Sequence, residues 1–346
     1  MRTFADIARP GRDRARTQLP LALQDARTVT TPEFAGMTFL EVETKSALNK
    51  VSGMPFAWSI NPYRGCSHAC SYCFARPTHR YLELSPAEDF ERMIVVKTNV
   101  VDVLRAELAR PSWRGEKVAL GTNTDPYQRC EGRYRLLPGI IRALTEARTP
   151  LSILTKGTLV TRDRALLAEA ARQGPTTAAL TIGMLDDDCW RASEPGTPHP
   201  RARLRAVRDL NAAGVPTGVM LAPIMPGIND DRAQLAAVVD AAAAAGATHI
   251  TPIVLHLRPG VREVFWPWLE RTYPHLTARY RTLYRGSQAA SEYRAGVHRF
   301  VEERRRQAQR RYGRSEQAEL SQDMSPAQPP AEAVSRAHAG EQLRLV

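Results

Sequence analysis

Cys66, Cys70 and Cys73 stand close together in the stretch RGCSHACSYCFARPTHR and account for three of the chain's five cysteines. Thiolates are soft ligands suited to zinc and to iron–sulfur clusters. The Cys-x3-Cys-x2-Cys spacing lets one loop wrap a metal centre, yet it supplies three ligands where a closed tetrahedral site takes four. His68 and His79 are near enough in sequence to complete a zinc site of three cysteines and one histidine. Cys130 or Cys189 would instead bring a distant fourth thiolate to an ordinary electron-transfer cluster. A third possibility is a place that no protein ligand fills. Spacing alone leaves all three open.

The surrounding pattern says where this loop must sit. Short apolar, β-leaning runs alternate with stretches of helical period. FAWSINPY (56–63) is a strand that runs straight into the cysteines, followed by RMIVVKT and a helix NVVDVLRAELAR with Asn99 as N-cap. Further strands are expected at 117–122, 151–155, 177–182, 216–222 and 248–255. The helices between them cover PGIIRALTEA (138–147), TRDRALLAEAARQG capped by Thr161 and stopped by Gly174, RARLRAVRDLNAAG with Leu204, Val207 and Leu210 on one face, and DDRAQLAAVVDAAAAAG. Six βα-type units, with one extra β-leaning stretch near 92–98, predict an α/β fold with a parallel sheet and outer helices. Six units are too few to close an eight-fold barrel, so a partial (β/α)6 TIM-like barrel is expected. In such folds the site lies at the C-terminal ends of the strands. The cysteine loop follows the first of them, where a structural zinc loop has no reason to be.

Composition bounds the rest. The chain is 43% hydrophobic and carries a formal net charge of +12, part of it near the start and in RFVEERRRQAQRRYGR from Arg299, with the middle still basic. A basic surface suits nucleic acid or another polyanion, and equally a solvated, arginine-rich protein. The opening MRTFADIARPGRDRARTQ is too charged for a secretory leader, and no run approaches 18 apolar residues. An odd cysteine count argues against a disulfide framework and for a reducing cytoplasm. Residues 1–45 are expected to be an N-terminal arm, partly flexible, 46–290 the core domain, and 291–346 a basic helix with a disordered tail.

With Tyr72 immediately before the third cysteine, the loop resembles that of the radical S-adenosylmethionine (radical SAM) superfamily. NPYRGCSHACSYCFAR, GTNTDPYQ, TKGTLVTRD, EPGTPHPRARL and APIMPGIND, in that order over 61–230, are similar to its spore photoproduct lyase-like branch. The resemblance covers about 45–290. It implies a [4Fe-4S] cluster held by Cys66, Cys70 and Cys73, with S-adenosylmethionine chelating the iron that lacks a protein ligand. It also implies reductive cleavage to a 5′-deoxyadenosyl radical, which abstracts a hydrogen from a substrate the sequence does not name. Cofactor contacts implied in the same way are Tyr72, Asn123, Thr124 and Asp125 for the amino group, Lys156 near the carboxylate, Thr181, and Arg191 and Glu194 in the loop beyond.

Asn229 and Asp230 are expected to pack and to cap the next helix, and His256 to be structural. A reductant such as flavodoxin or ferredoxin is the implied partner, nucleic acid a further one, and a membrane none. Spore photoproduct lyases carry a hydrogen-donating cysteine near the place of Gly121, Thr122 and Asn123, where this chain has none; Cys130 lies a few residues on. Photoproduct lyase activity in DNA repair is therefore the weaker alternative. A non-catalytic nucleic-acid-binding protein with a structural zinc or iron–sulfur site is the alternative of another class.

Overall fold

The computed structural model of the chain describes residues 23–312. Within them eleven strands form two sheets: β1 (Arg27–Val29), β2 (Thr38–Val42), β3 (Leu48–Lys50), β4 (Trp58–Ile60), β5 (Tyr63–Arg64), β6 (Met93–Lys97), β7 (Val118–Leu120), β8 (Leu151–Thr155), β9 (Thr176–Thr181), β10 (Thr217–Ile224) and β11 (Ile250–Val254). The helices are α1 (Glu88–Arg92), α2 (Val100–Leu108), α3 (Glu131–Tyr134), α4 (Leu136–Glu146), α5 (Arg164–Gln173), α6 (Asp187–Ser193), α7 (Pro200–Ala212), α8 (Arg232–Ala244), α9 (Arg262–Thr272), α10 (Thr277–Leu283) and α11 (Ser291–Tyr312).

The large sheet has the order β11-β10-β9-β8-β7-β4-β3. The six strands from β4 to β11 in that sheet are mutually parallel, and β3 adds antiparallel to β4 at the edge. β11 and β3 end the order without pairing to each other, so the parallel array is a partial barrel with the six units expected. LSILT of β8 shows why: its residues are nearly all buried, as a strand covered on both faces must be. α4 shows the complementary pattern, burying Leu137, Ile140, Ile141 and Leu144 while Arg142 and Glu146 face water. Register brings Ile60 opposite Leu120, and Thr155 opposite Leu180. The loops after β4, β7, β8 and β9 thus share one rim.

Several boundaries differ from the sequence reading. The first strand is broken at Asn61-Pro62: β4 belongs to the large sheet, and β5 to a small sheet of order β1-β2-β6-β5. Proline has no N–H to offer a ladder, so the chain changes partner there, and the Pro62 carbonyl accepts from Lys97 N–H at 3.0 Å. The extra stretch near 92–98 is β6, in that small sheet. Part of the expected N-terminal arm is ordered in β1 and β2, β2 running parallel to β6. The start of the arm and the tail beyond residue 312 lie outside the described residues.

Caps moved by a residue or two. Asp163, not Thr161, precedes α5, because a short 3-10 turn over 158–163 comes first. Asp231, not Asn229 or Asp230, caps α8, accepting from the N–H groups of Ala233 and Gln234. Asn229 instead packs inside the preceding turn, accepting from Met225 N–H at 2.6 Å and donating to the Gly183 and Pro223 carbonyls. Asn99 does sit at the N-cap of α2, but its amide pairs with the backbone of Thr44 in both directions.

Gly121, just past β7, is where the rim is tightest. Its φ is +93°, and a Cβ there would lie 1.9 Å from the Leu154 carbonyl oxygen. Backbone cannot retreat as a side chain can. Gly121→Ala is expected to cost about 3 kcal/mol in urea unfolding. A loss within about 0.5 kcal/mol of wild type would contradict this packing.

Candidate functional site

The cysteine loop is a run of turns hung between the two sheets. The carbonyls of Cys66, Cys70 and Cys73 each accept from the N–H three residues on, at 3.3 Å. Gly65, with φ +87°, opens the loop where a Cβ would meet the Phe90 and Met93 carbonyl oxygens at 2.9 Å. The Arg76 guanidinium closes it, donating to the Cys70, Pro86 and Ala87 carbonyls and to Glu91. Gln128, fully buried, holds it from the rim: its amide oxygen accepts from Ser67 N–H at 2.9 Å, and its amide nitrogen donates to the Gly65 carbonyl and to Thr124 Oγ1. Neither Arg76 nor Gln128 was singled out from sequence. Both lie inside the recognised motifs, but nothing in their spacing says that they point at the loop.

Cys66 and Cys70 are 5% and 6% exposed, and Cys73 is half-buried. Burial raises the Cys66 thiol well above its ordinary value and pushes Cys70 up to about 12. An uncoordinated thiolate is thus costly at either position. The two nearby histidines are committed elsewhere. His68 Nδ1 lies 3.3 Å from Asp125 Oδ2, while His79 Nε2 faces the Met93 carbonyl at 3.1 Å with its ring against Phe90. Among the described residues no three His, Cys, Asp or Glu side chains converge as they would on a single metal ion. Cys130 is fully buried beside Tyr63 and Glu131, and Cys189 packs against Ser193 and Tyr273.

Facing the loop is a second chain segment, Ser193–Thr197. Ser71 N–H donates to the Ser193 carbonyl, and Gly196 N–H to the His68 carbonyl at 3.1 Å. A Cβ on Gly196 would lie 2.1 Å from the Ser67 oxygen. Glu194, with no exposure, is the charged centre of this contact. It accepts from the Tyr72 hydroxyl and from Arg203 Nη2, and Lys156 Nζ stands 4.0 Å away. Burial alone would raise the Glu194 carboxyl. Arg203 and Lys156, with the Tyr72 hydroxyl, outweigh it and hold the group below the ordinary range. The same burial and the facing carboxylate push the Tyr72 phenol up. Arg203 spends its other donors on the Pro198 and Thr181 carbonyls and on Thr197 Oγ1.

The expected cofactor contacts therefore fall into three groups. Tyr72, Lys156 and Glu194 come together, the Lys156 ammonium lying 5.5 Å above the Tyr72 ring centre, and Thr181 ends the strand that Arg203 ties to them. Asn123, Thr124 and Asp125 are on the same rim but hold the protein itself. Asn123 N–H donates to Asn61, and Thr124 Oγ1 donates to the Gly65 carbonyl at 2.7 Å. Asp125 accepts from Thr155 Oγ1, Tyr127 N–H and Lys156 N–H. Arg191 is not brought to the rim. It is 59% exposed and pairs with Asp187 and Asp188 on its own helix, as i,i+4 and i,i+3 spacing allows.

Burial would raise the Asp125 carboxyl, but His68, Lys156 N–H and the Thr155 hydroxyl hold it at about 2, below its ordinary 3.8. A carboxyl lowered by folding stabilises the fold in full above its unfolded value and loses that contribution as pH falls through the folded one. Asp125 should therefore cost the cluster-free protein on the order of 2 kcal/mol between about pH 5 and pH 2. Asp125→Asn, less stable at pH 6, should show a fall over that range smaller by this amount in urea unfolding. An equal fall in both proteins would mean that the hydrogen-bonded carboxylate is not the cause.

Comparison with known proteins bears on the family and the fold. The radical SAM superfamily model matches residues 60–239. An uncharacterised protein of Mycobacterium tuberculosis (strain H37Rv) is 55% identical over 262 residues, which cover 75% of this chain and 77% of that one. An uncharacterised protein of Methanocaldococcus jannaschii is 27% identical over 55% of this chain and 69% of its own length. Among solved structures, spore photoproduct lyase complexed with dinucleoside spore photoproduct superposes with a TM-score of 0.59 over 79% of each chain at 17% identity, a likeness of fold. The matched residues 60–239 run from the end of the first core strand, through all three cysteines, into α8, and on that match the chain belongs to the radical SAM superfamily.

Proposed function

We propose that this enzyme holds a [4Fe-4S] cluster on Cys66, Cys70 and Cys73, with S-adenosylmethionine completing the coordination, and uses it to start a radical reaction by hydrogen abstraction. The observation that carries the reading is a loop with three thiols whose two neighbouring histidines already have partners. The donor set fits the group. Burial keeps Cys66 and Cys70 protonated unless a cation compensates the thiolate, and the Ser71 hydroxyl between the cysteines is buried without a protein partner. Bound there, the cluster supplies the electron that splits S-adenosylmethionine into methionine and a 5′-deoxyadenosyl radical.

The chain's own residues have the remaining work. Gln128, Arg76 and the Ser193–Thr197 segment hold the loop in one shape, so that the thiols need not reorganise. Lys156 has no hydrogen-bond partner for its ammonium among the described residues, and Glu194 and the Tyr72 ring fix its direction. It is the group suited to a cofactor carboxylate. Asp125 is already saturated by four protein contacts, so it suits the role of positioning His68 and Lys156 better than that of gripping an ammonium. Cys130, enclosed beside Tyr63, does not stand at the rim as a hydrogen donor. This weighs against photoproduct lyase chemistry.

Anaerobic reconstitution with iron and sulfide is expected to give a brown protein that releases 5′-deoxyadenosine with dithionite. Cys66→Ala, Cys70→Ala and Cys73→Ala should each lose both the colour and the release. A fully loaded, reduced wild type that releases none, with or without cell extract as substrate source, would overturn the reading. Lys156→Met should weaken S-adenosylmethionine binding about tenfold or more in equilibrium dialysis, as expected for loss of a hydrogen bond to a charged group. Unchanged affinity would remove Lys156 from the carboxylate site.

A further inference from the structure

A charge taken out of water is costly unless something pairs with it. The small sheet breaks this rule twice. Arg64 ends β5 and Lys97 ends β6. Side chains alternate across a strand, and Tyr63 and Val96 both belong to the main core, so Arg64 and Lys97 share the opposite face. Register sets Arg64 opposite Val95, which makes Lys97 its diagonal neighbour, the two bases about 7–8 Å apart. Lys97 is 6% exposed. Arg64 is half-buried, with its Nη1 enclosed and unpartnered. Among the described residues neither side chain makes a hydrogen bond or an ion pair.

The nearest acids are already used. Glu107 is within electrostatic reach of Lys97, but its oxygens accept from the Ser46 hydroxyl and from the Ala47 and Leu48 N–H groups. Glu41, on the neighbouring strand, accepts from the Tyr134 hydroxyl at 2.8 Å and stands 3.6 Å from Arg27. The rest of the face is hydrocarbon: Leu40, Leu82, Leu84 and Val95 form one cluster, and Val42, opposite Lys97, packs against it. Two like charges against such a surface repel, and burial beside Arg64 pushes the Lys97 ammonium down to about 7. A guanidinium offers a planar fork to an oxyanion, and an ammonium adds a point charge. A phosphate monoester carries about −1.5 to −2 at neutral pH and balances both cations, whereas a carboxylate would balance one. The small opening at Lys97 admits the end of a ligand, not the continuous backbone of a polymer.

We propose that Arg64 and Lys97 together bind a dianionic phosphate group, that of inorganic phosphate or of a small phosphate monoester, on the outer face of the small sheet. The phosphate oxygens accept from the guanidinium and the ammonium, and no covalent bond forms or breaks. Only Gly65 separates Arg64 from Cys66, so an anion that ties β5 to β6 also fastens the entry to the cysteine loop. The site does not depend on the cluster reading above, since neither residue is offered as a ligand to metal or cofactor.

The test compares the full chain with Lys97→Met and Arg64→Met, by titration calorimetry and by urea unfolding. The probes are inorganic phosphate, glycerol 3-phosphate and a single-stranded oligonucleotide without terminal phosphates, each against sodium chloride of equal ionic strength. Wild type is expected to bind phosphate and to unfold at higher urea in its presence. Each variant should bind about tenfold more weakly or worse, as for loss of a hydrogen bond to a charged group, and should lose the shift. In chloride alone Lys97→Met should be at least as stable as wild type, because it removes a buried charge that has no partner. Glycerol 3-phosphate binding as phosphate does extends the site to monoesters, and binding of phosphate alone assigns it to the free anion. Equal phosphate binding by wild type and both variants, or none by wild type, would overturn the proposal. So would a Lys97→Met protein less stable than wild type in chloride, which would give the ammonium a structural partner. Oligonucleotide binding that needs both residues, with no response to phosphate, would reassign the pair to nucleic acid and equally overturn it.

Discussion

Two opposite charges with no access to water, Glu194 and Arg203, hold the rim of the candidate site together. Moving either from water into the protein costs several kcal/mol, and the pair recovers this only because its remaining hydrogen-bonding groups are used. Arg203 reaches across from α7 to the end of β9, and Glu194 reaches the cysteine loop through Tyr72 and the end of β8 through Lys156. Four separate parts of the chain are therefore fixed to one pair. Removing one member would leave a bare charge inside the protein, a defect of about 3–5 kcal/mol. Such a centre also removes freedom: it defines one position for the loop, where apolar packing would tolerate several.

The rim carries two kinds of polar group, and the difference lies in how full each one is. Asp125 has a short, low-entropy side chain, and two backbone N–H groups, the Thr155 hydroxyl and His68 fill it. Lys156 sits on the next strand end with a long stem packed over an aromatic ring, its charge directed but not consumed. The first makes shape, while the second keeps capacity for something that arrives later. The glycines serve the same division. Gly65 and Gly121 take backbone angles that a side chain would resist, and Gly196 allows two main chains to touch where any Cβ would separate them.

Most of the fold was legible in the sequence because it depends on periodicity, and each of the six parallel strands lies within two or three residues of its expected place. The cysteine triplet was legible for a different reason: thiols this close have few other uses. What escaped depends on which partner a polar side chain finds across long separations in the chain. Arg203 stands in RARLRAVRDL four residues before Val207 and seven before Leu210, on the apolar face, where its charge hides the fact that it is among the most buried residues of the protein. Arg191, twelve residues earlier, has the same chemistry and ends on the surface. Helical period separates the two, since Arg191 has Asp187 and Asp188 one turn before it, but it does not name Glu194 as the partner of Arg203. The division of FAWSINPY between two sheets was equally hidden, since Pro62 announces a break but not the identity of the next partner. Caps were misplaced by one or two residues wherever several Asx or Thr residues competed for one helix end, as at 229–231.

The small sheet also has an order in time. β5, the two-residue strand that delivers the chain to Cys66, is held by β6, which is made some thirty residues later, and β6 in turn lies beside β2 from the beginning of the described chain. The clasp across the loop, Arg203, is made later still. A growing chain on the ribosome thus makes its three cysteines well before it has made the parts that enclose them. The cysteine loop is born open and is shut from both sides by residues that follow it. Loading before closure and loading after it are then two distinct problems for the cell, separated by the synthesis of α7.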